Sequence, residues 1–295
     1  MVRRFRPGRL LVGATVLSLA SFIPVGVAQA APGTGKSCDP LVELDSDNFG
    51  DPTTIDNEYL PMPPGTRLTY QGHVAGGGGG TAPHQVVFTV TGLVKNVDGV
   101  TNRVIYDVDK DGAEVAEAEL AFFSQDDAGN VWNLGEYPEE YEGGKFSGAP
   151  SVWISGLQNA VGGVHMRANP ESHVNDREYL QGRAPKIDFL DCARIAKKNG
   201  VAPVPAGRFT DVLTTYERSP LESTTAIQTK EHAPGVGIVR IDALNDPEAE
   251  VLELVSIEHL HGKALRDVND AALALDKHGR RVSDVYRKTA DLHND

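Results

Sequence analysis

Apolar and polar residues alternate with a period of two over most of the chain between residues 66 and 261. Thr66–His73 sets Leu68 and Tyr70 against Arg67, Thr69 and Gln71, the pattern of a strand with one buried face. His84–Thr91 and Gly99–Val108 repeat it, the latter with Val100, Val104, Tyr106 and Val108 on one side. In Glu114–Phe123, Ala116, Ala118, Leu120 and Phe122 alternate with Glu117, Glu119 and Ala121. A turn at Asp127–Asn130 precedes Val131–Leu134. Tyr137–Ala149, acidic and glycine-rich, reads as a loop, and Ser151–Arg167 has no clear period. Glu178–Gly182 and Lys186–Ile195 read as short strands. The densest run, Gly207–Gly262, holds Arg208–Glu217, Thr224–His232, Val236–Ile241 and Glu250–His261. Ser219-Pro220, Pro234-Gly235 and Asn245-Asp246-Pro247 separate them, residues that suit turns and stop strands. After His261 the period lengthens. Leu265, Val268, Ala272 and Leu275 fall at helical spacing, Gly279 suits a helix C-cap, and Ser283 opens one further turn to Lys288.

The pattern predicts an all-β fold: a large curved antiparallel meander sheet, open or partly closed as a barrel, of about eight to ten strands, with a C-terminal helix. The β domain spans 57–262, between an N-terminal segment, 31–56, and a C-terminal helical segment, 263–295. Period-two geometry commits each strand's apolar set to one face. Leu68, Tyr70, Val104, Tyr106, Leu120 and Phe122 are therefore expected on the concave side. The last strand adds either Leu252 and Leu254 or Val255 and Ile257.

Residues 1–30 carry the marks of a secretory signal peptide. Arg3, Arg4, Arg6 and Arg9 precede an uncharged apolar run, and Ala28-Gln29-Ala30 gives an A-x-A cleavage site. An exported chain meets an oxidising compartment, so Cys38 and Cys192, its two cysteines, are expected to form a disulfide. The reading places the protein outside the cytoplasm, secreted or at the cell envelope, with no integral membrane span after processing. The 295-residue chain holds 28 basic and 41 acidic residues. Losing the four leader arginines makes the balance more acidic still. Such a surface repels phosphate backbones and argues against nucleic acid.

Candidate chemistry is sparse, and no motif points to a cofactor. Asp107-x-Asp109-x-Asp111-Gly112 copies the first half of a calcium loop, but its twelfth position is Ala118 where a bidentate glutamate is needed. A hairpin turn explains the glycine equally well. His259 and His261 lie about 7 Å apart on one strand face. They could share a metal if His232, Glu231 or His165 supplied a third ligand. The five glycines Gly76–Gly80 lack the Lys-Ser/Thr ending of a phosphate loop and read as a hairpin connection.

Three segments carry a resemblance. They are Asn57-x-Tyr59-Leu60-Pro61-Met62-x-Pro64-Gly65-Thr66, then Asp127-x-Gly129-Asn130-Val131-Trp132, then Ala233-Pro234-Gly235-Val236-Gly237. They resemble a family of secreted actinobacterial proteins that share turn and strand residues and no recognisable catalytic motif. Two functional expectations follow. The first is a secreted binding protein holding an apolar or amphipathic small molecule in the curved sheet, with Tyr70, Tyr106, Phe122 and Trp132 against the ligand. The second is a secreted hydrolase or metal-dependent enzyme built on His259 and His261.

Overall fold

The computed structural model describes residues 37–75, 80–221, 225–245 and 249–295. The expected signal peptide, most of the glycine run and part of the turn at Asn245-Asp246-Pro247 lie outside the described residues. The strands are β1 (Thr66–Ala75), β2 (Thr81–Val97), β3 (Val100–Asp111), β4 (Glu114–Gln125) and β5 (Val131–Glu142), followed by the short β6 (Lys145–Gly148) and β7 (Trp153–Ile154). Then come β8 (Val161–Met166), β9 (Tyr179–Ala184), β10 (Phe189–Val204), β11 (Gly207–Arg218), β12 (Ile227–Ala233), β13 (Gly237–Leu244) and β14 (Val251–His259). One long helix, α1 (Gly262–Val282), precedes a last short strand, β15 (His293–Asn294).

Neighbouring strands pair in the order β1-β14-β13-β12-β11-β10-β9-β8-β5-β4-β3-β2, and β2 pairs back onto β1. Twelve antiparallel strands thus close a barrel, which removes the open sheet edge that a free meander would expose. Where β2 runs past the end of β1, β15 covers its edge through His293↔Val94 and Asn294↔Leu93. Tyr137–Ala149 belongs to β5 and β6 rather than to a loop. Its acidic residues hid it from the alternation: Glu140 opposes Glu117, while Glu139 faces outward and accepts from Tyr137 and Tyr141 beside His278 of α1.

Apolar side chains divide into two main clusters, one on each side of the wall. The inner one gathers Leu68, Tyr70, Val86, Ile105, Phe123, Leu252 and Leu254. The outer one gathers Val104, Leu120, Phe122, Trp132 and Tyr137 with Ala272 and Leu275 of α1. The expected concave set therefore splits. Leu68 and Tyr70 face the lumen, while Val104, Tyr106, Leu120 and Phe122 lie outside, beneath α1 and the segment after it. The register fixes this: Val86 opposes Asp109 and Val90 opposes Ile105 across β2–β3, so Asp107 and Asp109 point inward and Val104 and Tyr106 outward.

Helix α1 is held by packing and by buried charge. Gly279 does not cap it; the helix continues to Val282. A Cβ at Gly279 would lie 2.4 Å from the Tyr137 ring, so glycine is what lets the helix approach the barrel. Lys95 donates to Asp276 at 2.9 Å, and Tyr286 donates to the same carboxylate at 2.7 Å. Burial lowers the Lys95 ammonium to about 8 despite that partner.

One barrel end is plugged. Ile55, Tyr59, Leu60 and Met62 join the inner cluster, so the Asn57–Thr66 motif is a stopper. The Asn57 side-chain amide donates to the carbonyls of Gly129 and Arg167. The Tyr59 hydroxyl donates to Glu171 at 2.8 Å. At Gly65, φ is +90° and a Cβ would meet the Leu260 carbonyl oxygen at 2.4 Å, which requires glycine. The β10–β11 hairpin tip leans over the same end. Ala206 N–H donates to the Leu254 carbonyl at 2.9 Å, beyond the point where β13 and β14 stop pairing.

The expected disulfide joins Cys38 to Cys192, with Cα atoms 6.0 Å apart and a sequence separation of 154. It ties the segment before the barrel to β10. Closing a loop of that length stabilises by on the order of 4–5 kcal/mol in the chain-entropy model. Cys38→Ser/Cys192→Ser should therefore lose several kcal/mol in urea unfolding, and a loss below about 1 kcal/mol would show that the bridge constrains little.

Candidate functional site

Beneath the plug lies a small, partly open apolar pocket, with about 20 Å³ of room for the centre of a water-sized sphere and about 370 Å³ of space between atoms once open solvent is included, lined by Leu60, Met62, Leu68, Tyr70, Phe88, Phe123, His165 and Ile238 among others. Most of these side chains project from β1, β2 and β4 or belong to the stopper. Tyr70 reaches past β14 and donates from its hydroxyl to the Ile238 carbonyl of β13 at 2.8 Å, so it fixes one wall.

His165 is the polar group in that lining. It comes from β8, where the pairing steps from Val131↔Met166 to Trp132↔Val164 and leaves His165 as the extra residue of a bulge. Bulges of this kind re-aim a side chain; this one turns the imidazole inward, edge-on to Phe123 at 5.3 Å between ring centroids. His165 is 2% exposed, and neither ring nitrogen has a hydrogen-bond partner. Burial holds its pKa well below the ordinary imidazole range, so the ring is neutral. A buried polar group without a partner costs about 1–3 kcal/mol, and the rest of the fold has to offset that cost.

Beyond His165 the lumen turns polar. Lys230 of β12 and Glu217 of β11 form a buried ion pair at 2.5 Å, and Thr215 donates to the same glutamate at 3.2 Å. Burial pushes the Glu217 carboxyl up, but Lys230 and the nearby imidazoles outweigh it and hold it at about 2. His232, next to the pair, lies 3.3 Å from the Thr215 hydroxyl and 3.2 Å from the Tyr59 carbonyl. Burial lowers it to about 4.

The wall formed by β3, β4 and β5 is acidic on its inner face. Asp107 opposes Glu119, and Asp109 opposes Glu117; Glu117 in turn opposes Glu140. Asp107 also opposes Phe88 of the pocket wall. It is buried, one of its carboxylate oxygens has no hydrogen-bond partner, and burial pushes its carboxyl up to about 6. His84, on β2, sits between Asp111 at 3.0 Å and Glu250 at 3.4 Å.

The structure sorts the residues singled out from sequence. The calcium-like carboxylates lie on an extended strand, and Gly112 (φ +63°) opens the β3–β4 hairpin. Of Tyr70, Tyr106, Phe122 and Trp132, only Tyr70 lines the pocket. Tyr106, Phe122 and Trp132 pack on the outer face; Trp132 meets Phe49 edge-on at 5.9 Å between centroids and donates to Asp126. His259 and His261 are exposed. Their suggested third ligands lie elsewhere: His165 and His232 face the lumen, and Glu231 pairs with Arg240 at 3.3 Å. No group of three metal-ligating side chains converges among the described residues. A bulge accounts for the last strand: Thr69↔Ser256 gives way to Tyr70↔Leu254, so Val255 is skipped. Leu252 and Leu254 face inward, and Ile257 ends up 38% exposed. Sequence reading named His165 only as a spare ligand and passed over Asp107 as a pocket residue. The inward acid of β3 and β4 could have been found by treating the polar positions as a face in their own right.

Two consequences are measurable. Lys230→Met strands a buried carboxylate and should cost about 3–5 kcal/mol, most of it recovered when Glu217→Leu is added. His232 is bound neutral, with a folded value near 4 against an ordinary 6.5. Its contribution is complete above pH 6.5 and is lost as pH falls through 4. Asp107, raised to about 6, works in the opposite sense, but His165 adds to His232. Thermal melts should show a falling Tm across that window, and a flat profile would contradict neutral burial of the two imidazoles.

No family model and no curated protein matches the sequence. Two solved structures are similar over 68% of this chain and 99% of theirs, each at 14% identity. One is a candidate exported protein with a YmcC-like fold from Bacteroides fragilis, with a TM-score of 0.38. The other is a candidate lipoprotein from Parabacteroides distasonis, with a TM-score of 0.32.

Proposed function

We propose that this is an extracytoplasmic binding protein that holds an amphipathic small molecule inside the barrel, beneath the Asn57–Thr66 stopper. The observation that carries this reading is His165: a buried, neutral imidazole with both nitrogens unpartnered, aimed by a bulge into an otherwise apolar pocket. A polar group held this way serves a ligand better than it serves the fold, since an apolar residue would pack there without loss. The disulfide and the leader pattern support an extracytoplasmic setting. No helix among the described residues is long and apolar enough to cross a membrane.

N-phenyl-1-naphthylamine, uncharged at neutral pH, is a suitable probe for the pocket. It should bind saturably at one site with a rise in fluorescence. Val236→Trp, which fills the pocket from the turn between β12 and β13, should abolish that signal while the protein still unfolds cooperatively. Unsaturable binding, or binding that Val236→Trp leaves intact, overturns the reading. His165→Phe separates a ligand role from a structural one. It should raise stability by about 1–2 kcal/mol by removing two unsatisfied nitrogens, and it should weaken ligands that carry a hydrogen-bonding group.

A further inference from the structure

The lumen also specifies the charge of its occupant. Resting on the binding reading above, we infer that the ligand class is a cationic amphiphile: an apolar body seated against Phe88, Phe123 and Ile238, with a protonated amine on the Asp107 carboxylate. Phe88 lines the pocket and is the direct cross-strand partner of Asp107, so the apolar floor and the carboxylate are contiguous on one inner face. Asp107 is 7% exposed, and its Oδ1 is a buried acceptor with no hydrogen-bond donor. Its charge reaches the pocket wall, where it helps to keep the Tyr70 phenol protonated after the larger effect of burial.

The surroundings favour the same sign. Glu119, Asp109 and Glu117 continue the acidic face from Asp107 toward the β3–β4 hairpin. Lys230 faces the lumen but is committed to Glu217 at 2.5 Å. His165 and His232 are held neutral by burial. An ammonium entering here meets the free Asp107 carboxylate oxygen beside Phe88. A carboxylate or phosphate in the same place would meet like charge and no uncommitted cation among the described residues. Charge-assisted hydrogen bonds of this kind are about twice as strong as neutral ones, and in a dry lumen the repulsion of an anion is poorly screened.

The test is competition on the exported protein, with N-phenyl-1-naphthylamine displaced by dodecylamine, dodecanol or dodecanoate at equal chain length. Dodecylamine should displace the probe at least about tenfold more effectively than dodecanol, a difference of about 1.4 kcal/mol, and dodecanoate should be weakest. Asp107→Asn should erase the amine's advantage over the alcohol. Glu119→Gln, one strand away, should reduce it by a smaller factor and stands in if Asp107→Asn does not fold. Equal displacement by amine and alcohol, a preference for dodecanoate, or an amine advantage that survives Asp107→Asn overturns the charge assignment while the pocket reading stands. Failure of the uncharged probe itself to bind overturns both.

Discussion

Everything in this molecule depends on the closure of β1 onto β2. Once that pairing forms, twelve strands have no free long edge, and the sheet encloses a space wider than its own inward side chains can fill. An eight-stranded barrel is just wide enough for its inward side chains to fill, and sixteen to eighteen strands leave an aqueous channel. Twelve strands fall between. The protein meets the excess from one end with the stopper, Ile55 to Met62, and with the tip of the β10–β11 hairpin. What remains is the pocket under Leu60 and Met62 and the acidic stretch beyond it. The candidate site is thus the part of the lumen that the stopper and the inward side chains leave least filled.

The same closure puts a second demand on the wall. Strands β2 to β5 are covered on both sides, inside by the lumen and outside by α1 and the segment before β1. A strand buried on one face shows apolar residues on alternate positions, and the polar positions are normally the wet ones. Here the alternation is present but its meaning is reversed over β3 and β4. Val104, Tyr106, Leu120 and Phe122 turn outward beneath the helix, and the acidic positions turn in. On the far wall, Arg240 of β13 ion-pairs outside with Glu231 and Glu253, while Ile241 and Leu252 face each other inward. One barrel therefore carries two opposite amphipathic codes, according to whether a helix lies outside.

This is why the fold was legible in the sequence and the site was not. Strand positions, the antiparallel order, the terminal helix and the disulfide follow from period, turn residues and cysteine count, all local or nearly local signals. Which face is inside is a tertiary fact, decided by α1 arriving more than a hundred residues later in the chain. Bulges add a further break. The skipped residues His165 and Val255 each shift the parity of a strand, and a one-residue shift exchanges inside for outside. Neither bulge is marked by proline or glycine at the position itself. The residues that lie elsewhere than the expected inner face, Tyr106, Phe122 and Trp132 in the outer cluster and His259 and His261 at the surface, are those whose placement required parity to be carried across a covered wall or past a bulge. Gly279 shows the complementary case: a residue with a good local reading as a helix cap is there because Tyr137 leaves no room for a Cβ.

The arrangement of polar groups along the lumen shows how the fold tolerates so much buried charge. Glu217 and Lys230 satisfy one another, with Thr215 completing the pair, so they add rigidity without a net unpaired charge. His232 donates from Nδ1 to the Tyr59 carbonyl and so ties the barrel wall to the stopper. His165 and Asp107 have no such closure; each keeps buried polar atoms without a partner. The two kinds of group adjoin each other, so the lumen is not simply a poorly packed region in which polar residues have collected. The Glu217–Lys230 ion pair lies beside groups that keep unpartnered atoms, His165 in the apolar pocket and Asp107 on the acidic wall. Partly satisfied networks are less stable than either a complete network or an apolar core. Their persistence in the lumen, at His165 and Asp107, is the physical basis of the proposed binding reading.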